Sequence, residues 1–72
     1  MARSSSSLEQ ARQTHERAAA NHDRAAAVWA AQNDHDRADL ERRTAQIERD
    51  AAELEAAWAR LLRERVRART HG

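Results

Sequence analysis

Apolar residues recur along the chain in two stripes whose members are spaced alternately three and four residues apart. The first stripe extends from Leu8 to Gln32 and the second from Leu40 to Ala68. This spacing places the members of each stripe on one face of an α-helix, as in the contact face of a coiled coil. Proline is absent and the single glycine is residue 72, so neither residue interrupts the pattern. The pattern predicts an all-α protein that is helical over residues 7–70.

The two stripes differ in the size of their side chains. The first is rich in alanine and contains Leu8, Ala11, His15, Ala18, His22, Ala25, Trp29 and Gln32. The second is bulkier and contains Leu40, Thr44, Ile47, Ala51, Leu54, Trp58, Leu61, Arg65 and Ala68. A lone helix would expose its stripe to water, so we expect a neighbouring helix to cover each of them.

The second stripe is out of phase with the first by one residue, and the slip falls within residues 32–36. We expect a long amphipathic helix that forms a coiled coil and absorbs the slip by a local change in winding. The alternative is an antiparallel hairpin of two helices with a turn near Gln32–His35, in which Asn33 caps the second helix. In that hairpin the alanines of the first stripe would pack against Ile47, Leu54 and Trp58. The lack of glycine and proline near the slip favours the continuous helix.

Serines and other polar residues dominate the start of the chain. Residues 1–6 are therefore expected to form a disordered tail. Ser7 and Gln10 have the spacing of a capping box, which predicts that the helix begins at this point.

A phrase of histidine, an acidic residue, arginine and alanine occurs three times, as THERA at 14–18, NHDRA at 21–25 and DHDRA at 34–38. His15 and His22 lie seven residues apart, which is about 10.5 Å along a helix. They cannot share one ion, so we expect no metal site. Because both belong to the first stripe, acidification is expected to charge the contact between helices and loosen it.

The sequence has no cysteine, no glycine-rich phosphate loop and no arrangement typical of a serine nucleophile. A small helical protein also rarely forms the concave pocket that an enzyme needs. We therefore expect a non-enzymatic protein without a cofactor. No apolar run is long enough to span a bilayer and no secretory leader is evident, so a cytoplasmic protein is expected.

Charge is distributed unevenly, although the net charge is only +1. Residues 58–72 contain 5 arginines against the single acid Glu64, whereas residues 1–57 contain 8 arginines against 11 acids. An arginine stripe of this kind can bind phosphate groups. The candidate phosphate-binding residues are Arg60, Arg63, Arg67 and Arg69.

These patterns favour a helical interaction module that self-associates or binds a partner protein helix. The expected interface residues are Leu8, His15, His22, Trp29, Leu40, Ile47, Leu54, Trp58 and Leu61. The alternative function is weak binding of nucleic acid, or of another acidic surface, through the arginine-rich end.

Overall fold

The computed structural model describes residues 4–71 and shows two helices joined by a short turn. Helix α1 spans Ser5–Ala31 and helix α2 spans His35–His71, and the described residues contain no strand. The prediction of an all-α protein is confirmed. Of its two forms, the hairpin with a turn inside Gln32–His35 is the one observed, and the slip is not absorbed within a continuous helix.

Helix α1 begins one turn earlier than the capping box predicts. The Ser4 hydroxyl accepts the backbone N–H of Ser7 at 3.1 Å, and the Ser4 carbonyl accepts that of Leu8 at 3.0 Å. Ser4 is therefore the N-cap, and Ser7 lies within the first turn. Each serine in this run can cap a helix. Capping by Ser4 instead of Ser7 lengthens the helix by about one turn. Ser5 and Ser6 are helical instead of belonging to a disordered tail, and residues 1–3 of that predicted tail lie outside the described residues.

A left-handed asparagine closes α1, which explains how the chain turns without glycine. Asn33 has φ 61°, and its N–H donates to the Ala30 carbonyl at 3.0 Å. The next N–H, from Asp34, reaches back to the Trp29 carbonyl at 2.9 Å. These two bonds define a Schellman motif, in which asparagine can replace the usual glycine. Asn33 therefore ends the first helix and does not cap the second, contrary to the prediction.

Asp34 is the residue that starts α2. Its side chain accepts the N–H of Arg37 at 3.1 Å, and its carbonyl accepts that of Ala38 at 3.1 Å. The same residue thus completes the cap of α1 and serves as the N-cap of α2. Asp36 adds a negative charge in the first turn, where it stabilises the positive end of the helix dipole.

The two helices pack antiparallel along their length. His15 contacts Glu48 and His22 contacts Glu41, so seven residues forward on α1 correspond to seven residues back on α2. Both helices therefore keep a heptad repeat at their contact. The hairpin is slender, with Cα extents of 59 × 18 × 13 Å.

Alanine forms most of the buried contact between the helices. The buried residues are Leu8, Ala19, Ala26, Ala38, Ala45, Ala52 and Ala59. Those on α2 recur every seven residues and have the small side chains that allow two helices to approach closely. Alanine contributes little apolar area, so this core is thin.

The bulky second stripe does not pack against α1, which corrects the predicted contact of Ile47, Leu54 and Trp58 with the alanines of the first stripe. Ile47 is 67% exposed and Leu54 is 62% exposed, whereas Ala45 is fully buried. At about 100° per residue, the buried alanines and the bulky residues form separate rows around α2. The alanine row faces α1 because it allows close approach and places Glu41 and Glu48 opposite histidines.

Candidate functional site

A row of large apolar side chains lies uncovered on α2. We call this row the outer stripe; it consists of Leu40, Ile47, Leu54, Trp58 and Leu61. All of its members are exposed, and the row extends about 32 Å along the helix. Single exposed apolar residues are ordinary, whereas larger contiguous apolar patches are typical of interaction sites.

The outer stripe contains a shallow apolar hollow towards its C-terminal end. Leu54, Ala57, Trp58 and Leu61 line this hollow. Trp58 is half exposed there, and tryptophan at the centre of an apolar patch is a common anchor in protein interfaces.

Helix α1 extends this apolar surface with small side chains. Ala11, Ala18 and Ala25 are half-buried and follow Leu8, His15 and His22 at a spacing of three residues. Val28 continues their side of the helix and is 54% exposed. We refer to these four residues and the outer stripe together as the apolar face.

The opposite long side of the hairpin is charged. A groove there is formed by both helices, and its charged lining residues are Arg12, Glu16, Asp23, Arg49 and Glu53. Asp23 and Arg49 pair across it at 2.9 Å. This side of the hairpin therefore presents charged side chains beside the alanines that also line the groove.

Two histidine–glutamate pairs connect the helices between the two sides. His15 Nδ1 lies 2.6 Å from Glu48 Oε2, and His22 Nδ1 lies 3.5 Å from Glu41 Oε2. All four side chains are partly buried. Polar contacts within an otherwise apolar helix interface favour one register over others. The histidines of the first stripe therefore contact the second helix of the same chain.

The glutamates of these pairs contact α1, and the sequence analysis did not identify them. Glu41 and Glu48 lie seven residues apart, as do the buried alanines of α2. This second heptad repeat was visible in the sequence, but the bulkier outer stripe has the stronger apolar signal.

Trp29 lies at the turn, where Arg37 covers it. The Arg37 guanidinium carbon lies 4.6 Å from the centre of the Trp29 ring, which is a cation–π contact. The ring of Trp29 is therefore partly covered by a side chain of its own chain, unlike that of Trp58.

Arg12 holds the beginning of α1 together through two carboxylates. It lies 3.0 Å from Glu9 and 2.7 Å from Glu16. Hydrogen bonds to Glu9 and then to Glu16 raise the pKa of the Arg12 guanidinium. The contacts are local to the surface of one helix.

The arginine-rich end of α2 projects past the start of α1. All four candidate phosphate-binding residues, Arg60, Arg63, Arg67 and Arg69, are exposed. Within residues 4–70, Arg63 is the one of the four that forms an ion pair, with Glu9 at 3.7 Å. A hollow beside this end is lined by the serines Ser4 and Ser5 and by arginine and apolar side chains of α2.

No group of three potential metal ligands occurs among the described residues. His35, the histidine of the third repeat, is exposed at the first position of α2.

None of the described helices has the length and apolar character required to cross a membrane. Comparison of the chain with protein-family models, with curated proteins and with solved structures gives no match.

Proposed function

We propose that this protein is a non-enzymatic helical interaction module that self-associates through its apolar face. The observation that carries the proposal is the distribution of apolar side chains. The buried contact of the hairpin uses mainly alanine, whereas the residues of the outer stripe are 36–67% exposed. Burying a leucine or isoleucine contributes about 1.5–3 kcal/mol, and the hairpin alone leaves Leu40, Ile47 and Leu54 more than half exposed.

The thin core gives association a second role. Two helices of this size with an alanine contact bury little apolar area and have marginal stability. Any partner that binds only the folded hairpin stabilises it by mass action. Association through the outer stripe would therefore provide the apolar burial that the intrachain contact lacks.

The dimensions of the hairpin suit a protein interface. Its broad side measures 59 by 18 Å between Cα atoms, which corresponds to an area of about 1,000 Å². A stable protein–protein contact buries about 800 Å² on each partner. The whole broad side is large enough for such a contact. The outer stripe, a single row of side chains, covers a narrower area.

The experiment is a measurement of molar mass by size exclusion with light scattering over a range of concentrations. We expect the wild type to form a dimer or larger oligomer and Leu54→Asp to elute as a monomer that retains its helical circular dichroism. Gln13→Asp adds the same charge at an exposed position off the apolar face and should leave the oligomer intact. A wild type that remains monomeric at high concentration would overturn the proposal.

A second candidate function is the binding of phosphate groups, including those of nucleic acid, by the end of α2. It is supported by the exposure of Arg60, Arg63, Arg67 and Arg69, of which three lack an acidic partner among the described residues. Such binding should be weak and strongly dependent on salt, since it would rest on phosphate charge. A gel shift at low salt that disappears when these arginines are replaced by glutamine would support it, and the absence of any shift would exclude it.

A further inference from the structure

We infer that the outer stripe is covered by a second copy of the hairpin, packed antiparallel so that the two α2 helices meet along their outer stripes. In this dimer Arg43 of each copy faces Glu64 of the other. This inference rests on the proposed function, because it names the partner and the orientation of the same surface.

Side-chain sizes along α2 are complementary only in the antiparallel arrangement. The outer stripe is bordered by a row of smaller side chains that includes Thr44 and Ala51. When two copies of α2 are aligned antiparallel with Ala51 opposite Leu54, every layer contains at least one large residue. The layers are Ala51 with Leu54, Thr44 with Leu61, and Trp58 with Ile47. The first two of these layers pair a small with a large residue, which fills the space between helices.

A parallel alignment fits the same side chains less well. It would place Ala51 against Ala51 and Trp58 against Trp58, which leaves the first of these layers underfilled and the second crowded. It would also bring the two copies of residues 58–72 side by side, each with 5 arginines and one acid. The antiparallel alignment separates these basic ends to opposite ends of the dimer, where they do not repel one another.

Charge on the outer flank of the stripe fits the same alignment. The side chain of Arg43 is 71% exposed, and its ionic contact with Asp39 is long at 3.7 Å. Glu64 is exposed and forms no ion pair with any described residue. The antiparallel layers place Arg43 opposite Glu64 twice in each dimer. In a parallel pair these residues would be about 32 Å apart along the helix axis.

The first test reverses these charges and measures the dimer dissociation constant by sedimentation equilibrium. We expect Arg43→Glu and Glu64→Arg each to raise this constant about tenfold, and the double variant to return it close to the wild-type value. Arg42→Glu makes the same charge change on the side of α2 turned towards the charged groove, and it should have little effect. Both charged positions are exposed, so the monomer fold should be retained in every variant.

The second test measures orientation directly. The chain has no cysteine, so Arg42→Cys provides a single site for a spin label. In the antiparallel dimer the two labels are displaced by about 32 Å along the axis, whereas a parallel dimer places them level and within about 20 Å. A long distance together with rescue by the double charge reversal supports the inference. A dimer with a short distance, or without rescue, overturns the inference and leaves the proposed function standing, while a monomeric wild type overturns the proposed function itself.

Discussion

Enlarging one buried alanine should destabilise the monomer far more than removing a large residue from the outer stripe. Ala45 is 0% exposed at the contact between the helices, whereas Ile47, two residues later, is 67% exposed. Ala45→Leu forces an isobutyl group into a contact that has room for a methyl group. We therefore expect this substitution to lower the free energy of unfolding by about 2 kcal/mol, which is typical of an overpacked interior.

The paired substitution, Ile47→Ala, removes a large side chain that makes little intrachain contact. Alanine is also the better helix former by a few tenths of a kcal/mol. We expect the free energy of unfolding of the monomer to stay within about 0.5 kcal/mol of the wild-type value, as for other surface changes. The monomer fold would thus tolerate the loss of the large side chain of Ile47, but it would not tolerate a change at the small Ala45.

The assay is urea denaturation followed by circular dichroism, at protein concentrations below those at which sedimentation detects association. This condition matters because dimerisation through the outer stripe would add stability that Ile47→Ala removes. The opposite order, with Ala45→Leu stabilising and Ile47→Ala costing more than about 1 kcal/mol, would show that α1 packs against the bulky stripe and would refute the assignment of faces.

Three other predictions concern the turn and the polar contacts. Asn33 has a left-handed backbone, so Asn33→Ala should lower the melting temperature and Asn33→Gly should not; the reverse order would contradict the turn geometry. Asp34→Ala should cost about 1 kcal/mol of unfolding free energy in urea denaturation, because it removes the N-cap of α2, and a neutral effect would exclude that role. His15 Nδ1 lies 2.6 Å from a Glu48 carboxylate oxygen, so a double-mutant cycle of His15→Ala and Glu48→Ala should show a favourable coupling in urea denaturation. Additive effects of the two substitutions would contradict this contact.

The sequence analysis placed the histidines correctly between the helices but did not identify the side chains that surround them. His15 and His22 belong to the first stripe, and the structure places both between the helices. The sequence pattern suggested an apolar surrounding, in which added charge is unfavourable. The structure places carboxylates of Glu48 and Glu41 beside them, and these interact favourably with a charged imidazole. Identifying those partners requires the antiparallel register, which residue spacing within one helix does not reveal.

The sequence analysis located the slip in the heptad pattern but favoured a continuous helix over the turn that the structure contains. The slip in the heptad pattern located the break within residues 32–36, and the structure turns at Gln32 and Asn33. The absence of glycine argued against a turn because glycine adopts a left-handed backbone most readily. Asn33 adopts that conformation here, and Asp34 caps the next helix immediately afterwards. The hydrogen bonds that compensate a left-handed asparagine depend on the end of α1, not on composition alone.

The sequence by itself determined that this chain is helical, where its heptad pattern slips, and that large apolar residues form one row in its second half. These features are local, because a spacing of three and four residues is a property of a single helix. Only the tertiary structure decided which row of α2 is buried. Both the alanine row of Ala45 and Ala52 and the bulky row of Ile47 and Leu54 repeat every seven residues, so periodicity does not distinguish them. The choice depends on how closely α1 can approach and on which polar side chains meet across the contact, and the alanine row satisfies both conditions while leaving the bulky row at the surface.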